Sequence, residues 1–214
     1  MPIRRFGSGF IGNGFPGSTP DKDFKSEGEP LVEFNPDKAQ QVLADAGYPD
    51  GNDFPVLELK FSNSNPDNTT IFEYLQAIWE DTLGIKSTLV PLEPAAMTSL
   101  RDAGEFDITP QGWGADYFDA SNMMAIFSPD NLINAGRYEN PKFTEAYNGS
   151  LAEADNSKRI KLLQEAERIF IGEDMGIIPL YYGTKPYIFR ESVVTNVKFD
   201  ANGSLIITDL IVNK

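Results

Sequence analysis

Leu57-Glu58-Leu59-Lys60-Phe61 alternates apolar and polar residues. The series Ile71, Leu75, Ile78, Trp79 and Leu83 then repeats at helical spacing, and Lys86-Ser87-Thr88-Leu89-Val90-Pro91 returns to an extended pattern. A period of two gives way to a period near 3.6 and back again, which is the mark of a strand, a helix and a second strand. Thr70-Ile71-Phe72-Glu73 has the form of a capping box and is expected to open the helix, and Gly84 to close it. A short helix over about 95–103 leads through Gly104 into a third strand expected over about 107–113. Strand, helix, strand, helix, strand specifies an α/β domain with a mostly parallel sheet flanked by helices, because parallel neighbours need a crossover.

Upstream, Asn35 suits an N-cap and Pro36 a first helical position. Ala39, Val42, Leu43 and Ala46 then line one face before Gly47. Residues 1–30 hold six glycines and four prolines and read as an irregular arm draped over a surface. The Gly-x-Gly pairs there do not make a phosphate loop, since no strand precedes them and no Gly-Lys-Ser/Thr follows. Downstream, helices are expected near 121–127, 141–153 and 157–171, the last with Ile160, Leu163, Ala166 and Phe170 on one stripe. Gly176 to Tyr182 reads as a buried strand, with Pro179 marking an edge or a bulge. Residues 193–199 and 205–212 read as a C-terminal hairpin turning at Asn202-Gly203.

The 214 residues contain no His and no Cys. These zeros exclude a Ser-His-Asp triad, a thiol nucleophile and imidazole or thiolate metal sites, and leave carboxylate, Lys and Tyr chemistry. The formal net charge of −14 argues against nucleic acid and against an anionic membrane surface as partners. No apolar run is long enough to span a bilayer, and the N-terminal residues have no apolar segment of the signal-peptide kind.

Gly112-Trp113-Gly114-Ala115-Asp116-Tyr117-Phe118-Asp119 concentrates glycines, aromatics and carboxylates just after the third expected strand. In open α/β sheets, ligands sit beyond the carboxyl ends of the strands. As a cleft wall, Trp113 and Tyr117 offer flat apolar faces, Gly112 and Gly114 let main chain approach a ligand, and one Asp takes an amine or a cation. As a plain connection, Trp113 is core and Asp116 or Asp119 caps the next helix; composition leaves both readings open. Asp116 and Asp119 are also the pair for acid-base catalysis, but two carboxyls on one loop do not readily flank a glycosidic bond. Arg137 is a loop cation able to fork onto a ligand carboxylate, with a solvated charge as the bland alternative. Of Tyr181 and Tyr182, neighbours on a strand, only one can face a given cleft.

Three blocks carry a resemblance. Asn35-Pro36-Asp37-Lys38-Ala39 through Gly47-Tyr48-Pro49-Asp50-Gly51, then Gly104-Glu105-Phe106-Asp107 with Gly112 to Tyr117, then Ile178-Pro179-Leu180-Tyr181-Tyr182 occur in order over about 150 residues. Together they resemble the oligopeptide- and dipeptide-binding proteins of bacterial ABC importers, the extracellular solute-binding family 5. The resemblance implies a lobe of the periplasmic-binding-protein type II kind, in a two-lobed extracytoplasmic receptor that is lipid-anchored at full length and delivers peptide to a membrane permease. It implies that Asp116 takes the peptide's amine, with Trp113 and Gly112 lining the cleft. Ala120 departs from the Pro that many relatives carry there. Relatives are about twice this long, so the chain is expected to be a C-terminal lobe whose N-terminal lobe is missing, with Met1 not a natural secreted start.

The expected division is an interlobe arm over 1–33, a solute-binding lobe over 34–190, and a hairpin over 191–214 packing towards the missing lobe. The expected ligand-binding set is Asp116, Trp113, Gly112, Gly114, Tyr117 and Arg137, with no catalytic residue, metal or cofactor. A carboxylate-dependent hydrolase, a sugar- or metal-chelate-binding lobe and a ligand-free module recognising the permease are the alternatives.

Overall fold

The computed structural model describes residues 5–184, 187–199 and 204–213, with Arg5 described by its backbone alone. In chain order the elements are β1 (Arg5–Phe6), α1 (Phe24–Glu27), α2 (Pro36–Asp45), β2 (Leu57–Ser62), α3 (Pro66–Leu83), β3 (Ser87–Leu92), α4 (Pro94–Ala103), α5 (Ala120–Ala125), α6 (Pro141–Ala152), α7 (Asn156–Glu167), β4 (Tyr181–Tyr182), β5 (Val194–Thr195) and β6 (Ile211–Val212). The described residues fall into two compact units: residues 34–112 with 135–137, and the remaining described residues.

In the unit of residues 34–112, β2 and β3 pair in parallel from Leu57 opposite Ser87 to Ser62 opposite Leu92, with α3 as the crossover. Leu59, Phe61 and Phe72 are buried there, the two rings stacked at 5.0 Å, with Leu75, Trp79, Leu89 and Ile108 packed around them. Burying each such side chain contributes roughly 1.5–3 kcal/mol. The helix α3 begins earlier than the capping-box reading puts it. Asn65 accepts the Asp67 N–H at 3.0 Å and Pro66 takes the first position, while the Thr70 hydroxyl turns back to the Pro66 carbonyl. The stronger cap lay five residues upstream, beside a proline that needs no N–H partner. Gly84 ends α3 with φ +68°.

The third strand does not form as a strand. Ile108 makes one parallel bridge to Leu59, accepting the Lys60 N–H at 2.9 Å. Pro110, which has no N–H to offer a ladder, stands two residues further on. The parallel pairing of this unit is therefore two strands and a bridge. Asn35 caps α2 as expected, accepting the Lys38 N–H at 3.0 Å, yet none of that helix's residues is buried.

The other unit is helical at its centre. From α6 come Phe143, Ala146, Tyr147 and Ser150, from α7 Ile160, Leu163 and Ala166, and from α5 Ala120, Met123 and Met124, all buried. After α7 the chain continues through one wide turn, Arg168–Glu173, which buries Ile169, Phe170 and Ile171. Phe170 is the hub, with ring centroids 4.0 Å from Phe127 and 4.7 Å from Tyr138. The glycine- and proline-rich N-terminal stretch belongs to this core rather than lying over a surface: Ile11, Phe15 and Phe24 are buried, and Phe24 is 1% exposed. Glycine and proline density signals turns and says nothing of how deeply the residues between them sink.

Two further strand expectations change. Residues 176–182 shrink to β4, which pairs antiparallel with β1 (Phe6 opposite Tyr181), and Ile178 is 52% exposed. Two hydrogen-bonded residues and a proline do not sustain a longer ladder here. Tyr182 turns inward, donating to the Gly9 carbonyl at 2.8 Å and accepting from Lys25 Nζ at 2.7 Å, while Tyr181 faces out. The C-terminal hairpin is present as β5 against β6 with a bridge from Phe199 to Leu205; its expected turn at Asn202-Gly203 lies outside the described residues. Ile211 and Val212 are exposed.

Candidate functional site

The loop at 113–119 is built from its far end. Asp119 caps α5, accepting the Ser121 N–H at 2.8 Å, and meets the Arg159 guanidinium at 2.5 Å. Burial raises the Asp119 carboxyl, but Arg159 and the two Ser121 donors outweigh it and hold the group below its ordinary value. That bond in turn raises Arg159. Asp119 is thus committed to structure, as the capping reading has it.

Asn122, buried on α5, reaches back along the same loop. Its Oδ1 accepts the Asp116 N–H at 2.9 Å and the Trp113 Nε1–H at 3.4 Å. Trp113 is half-buried against the core, and Phe118 stacks on Phe15 at 4.7 Å. Between these two inward rings, Asp116 and Tyr117 face solvent, and the Asp116 carboxylate has no hydrogen bond or ion pair among the described residues. Tyr147 lies against this end of the loop, where burial, with Tyr117 and Asp119 facing it, pushes its hydroxyl up. Trp113 packs in part on the core, as the plain-connection reading has it, and its indole N–H is fixed to Asn122 at the loop.

Gly114 and Gly112 are glycines without a local cause. A Cβ at either would meet no atom within 4 Å, and neither has positive φ. The border between the two compact units falls between Gly112 and Trp113, so the expected site residues are divided between them.

Arg137 is placed differently from the carboxylate fork. Its guanidinium donates to the Ala103 carbonyl at 2.7 Å and lies against Gly104, at the C-terminal end of α4. A cation there satisfies an orphan carbonyl and complements the helix dipole. The residue that sequence reading missed is Asn122; its place three residues after the α5 cap was the available signal, since a polar side chain in a short apolar helix needs a partner. Among the described residues no cluster of three carboxylates is arranged to hold a metal ion, and no helix is long and apolar enough to cross a membrane. An open depression of about 400 Å³ lies elsewhere, lined by Pro129, Glu139, Pro141, Thr144, Glu145 and Asn148, and takes in none of residues 112–119.

A parallel α/β unit followed by a tryptophan- and aspartate-bearing loop on a helical unit is the build of a lobe from a bacterial solute-binding protein. A crystal structure described as a periplasmic oligopeptide-binding protein from Borrelia burgdorferi superposes with a TM-score of 0.77 at 26% identity, over 99% of this chain and 40% of that one. The oligopeptide-binding protein OppA of Bacillus subtilis is 29% identical over 72% of this chain and 28% of its own length. The periplasmic OppA of Haemophilus influenzae is 31% identical over 77% of this chain and 30% of its own length. The family model for bacterial extracellular solute-binding proteins, family 5, middle region, matches residues 5–134, and the chain belongs to that family. It spans less than a third of the length of these two curated relatives.

Proposed function

We propose that the chain supplies one wall of a peptide-binding cleft, in a receptor that delivers oligopeptides to an ABC permease outside the cytoplasm. The observation that carries the reading is Asp116: an exposed carboxylate without a partner among the described residues, flanked by Trp113 and Tyr117, on a loop whose glycines leave open space. In this reading Asp116 pairs with the ligand's N-terminal ammonium, which loses its water on enclosure and must meet a charge. Gly112 and Gly114 admit the peptide main chain, and Trp113 and Tyr117 supply flat apolar surface. Arg137, engaged at Ala103, is left out of the proposed ligand set. The names of the relatives support peptide as the ligand class. The remaining lobe of the receptor and the permease are the proposed partners, a lipid anchor on the full-length receptor is part of the proposal, and the chain binds without catalysing.

The test is titration of the two-lobed receptor with a tripeptide and with its N-acetylated form, before and after Asp116→Asn. Removing one member of an enclosed charge pair costs about 2–5 kcal/mol, a loss of roughly 30-fold to a few thousandfold. The substitution is expected to abolish the preference for the free amine. Equal affinity for the two peptides in the unaltered receptor overturns the reading. One wall of a cleft cannot bury the roughly 70% or more of a ligand that tight sites enclose, so the 214-residue chain alone is expected to bind peptide weakly or not at all.

A further inference from the structure

Resting on the amine-anchor reading, we infer that Asn122 is the positioning residue of this site, a latch that holds Trp113 and Asp116 in one fixed arrangement. A single oxygen, Asn122 Oδ1, accepts from both the Trp113 indole and the Asp116 main chain. The residue is 7% exposed, so its amide is one that burial penalises unless it is hydrogen-bonded, and both bonds go to the loop rather than to the core.

The latch has a fixed base. Asn122 donates its own N–H to the Asp119 carbonyl at 3.0 Å, and Asp119 is held by Arg159. Arg159 sits on α7, the helix that contributes Ile160, Leu163 and Ala166 to the core. On the other side of the latch, Trp113 and Ala115 pack on the core while Gly114 stands in open space, so Asn122 is the hydrogen-bonded hold on the Asp116 main chain beyond that glycine. It acts through its two partners and touches no ligand.

Two substitutions separate this role from helix packing. Asn122→Leu keeps the branched outline with greater bulk and removes the acceptor; Asn122→Asp keeps the acceptor. The first measurement, on the 214-residue chain without peptide, is hydrogen exchange at the Asp116 amide and the Trp113 indole N–H, with Trp79→Phe used to assign the two indoles. Asn122→Leu is expected to speed both sites about tenfold, the equivalent of one net hydrogen bond, and to leave the Leu163 amide unchanged. Asn122→Asp is expected to leave all three within threefold. Unchanged exchange at Asp116 and Trp113 in Asn122→Leu overturns the latch, and so does equal acceleration at Leu163, which marks a general folding role.

The second measurement is the ratio of affinities for a tripeptide and its N-acetylated form in the two-lobed receptor. Asn122→Leu is expected to bring that ratio towards one, and Asn122→Asp to keep or widen it. A ratio unchanged in Asn122→Leu overturns the positioning role even if exchange responds. A ratio of one in the unaltered receptor is a failure of the amine-anchor reading, and with it of the latch's role in binding; the exchange result reports separately on whether Asn122 fixes the loop.

Discussion

Glu167 and Ile11, 156 residues apart in sequence, are joined by a hydrogen bond of 2.8 Å from the Ile11 N–H to Glu167 Oε1, which also accepts the Phe10 N–H at 2.7 Å. One buried carboxylate on the last turn of α7 thereby fixes the N-terminal stretch in the core, and Gly9 leaves room for it. Burial raises the Glu167 carboxyl above its ordinary value, against the opposing pull of the two amides and the Lys25 charge.

The sign of the pH effect follows. With its native pKa above the unfolded value of 4.5, Glu167 binds more protons folded than unfolded. Its contribution to stability is therefore present below about pH 4.5 and declines as pH rises through the native pKa. Glu167→Gln, whose Oε1 accepts both bonds without charge, is expected to match or exceed the parent in urea at pH 7 and to flatten stability against pH above 4.5. Glu167→Ala strands the Ile11 and Phe10 donors and is expected to cost about 2 kcal/mol or more. An Ala variant as stable as the parent sinks the account.

The periodic parts of the chain were legible. Leu57 to Phe61 and the Ile160–Phe170 stripe sit where their spacing puts them, because burial of one face is a local pattern; the helix over Ile71–Leu83 forms too, but its one buried residue is Phe72, which the stripe left out. Ile11, Phe15 and Phe24 were not legible, since isolated apolar residues among glycines reveal their burial only through distant partners such as Glu167. At the candidate site, the loop and its Asp119 cap could be read, but the commitment of Asp119 to Arg159 and the engagement of Arg137 at Ala103 depend on residues 40 and 34 positions away.

Two glycines should respond oppositely to alanine. At Gly84 the φ of +68° is strained for an L residue and a Cβ would collide with the Asp50 carbonyl oxygen, which cannot move without shifting the backbone. Gly84→Ala is expected to destabilise by about 2 kcal/mol or more. Gly114→Ala meets nothing within 4 Å and is expected to be neutral or to stabilise by about 0.4–1 kcal/mol, while weakening peptide binding in the receptor. Thermal unfolding of both variants checks the contrast, which fails if Gly114→Ala unfolds as easily as Gly84→Ala.

Arg137→Ala removes a cation from the end of α4 and is expected to cost about 0.5–1 kcal/mol of stability with no change in peptide affinity. A tenfold loss of affinity at unchanged stability returns Arg137 to the ligand set.

Asp119 and Asp116 divide stability and binding between them. Asp119 serves both as helix cap and as partner of Arg159, with side chains 29% and 21% exposed, so Asp119→Ala is expected to cost about 1–3 kcal/mol. Asp119→Asn keeps a capping oxygen and loses the ion pair, and should fall between Ala and the parent. Because the Asp119 carboxyl is held below 3.8, its stabilisation is present above that pH and is lost as pH falls through the lower native value; the Asn variant should lack that acid limb. Asp116, exposed and without a partner among the described residues, should give the reverse: Asp116→Asn within about 0.5 kcal/mol of the parent in urea, yet impaired in binding the free-amine peptide. Paired urea curves and titrations on the two Asn variants decide it. Asp116→Asn unfolding like Asp119→Ala gives Asp116 a structural role, and Asp119→Asn losing peptide affinity while keeping its stability moves the amine anchor three residues along the loop.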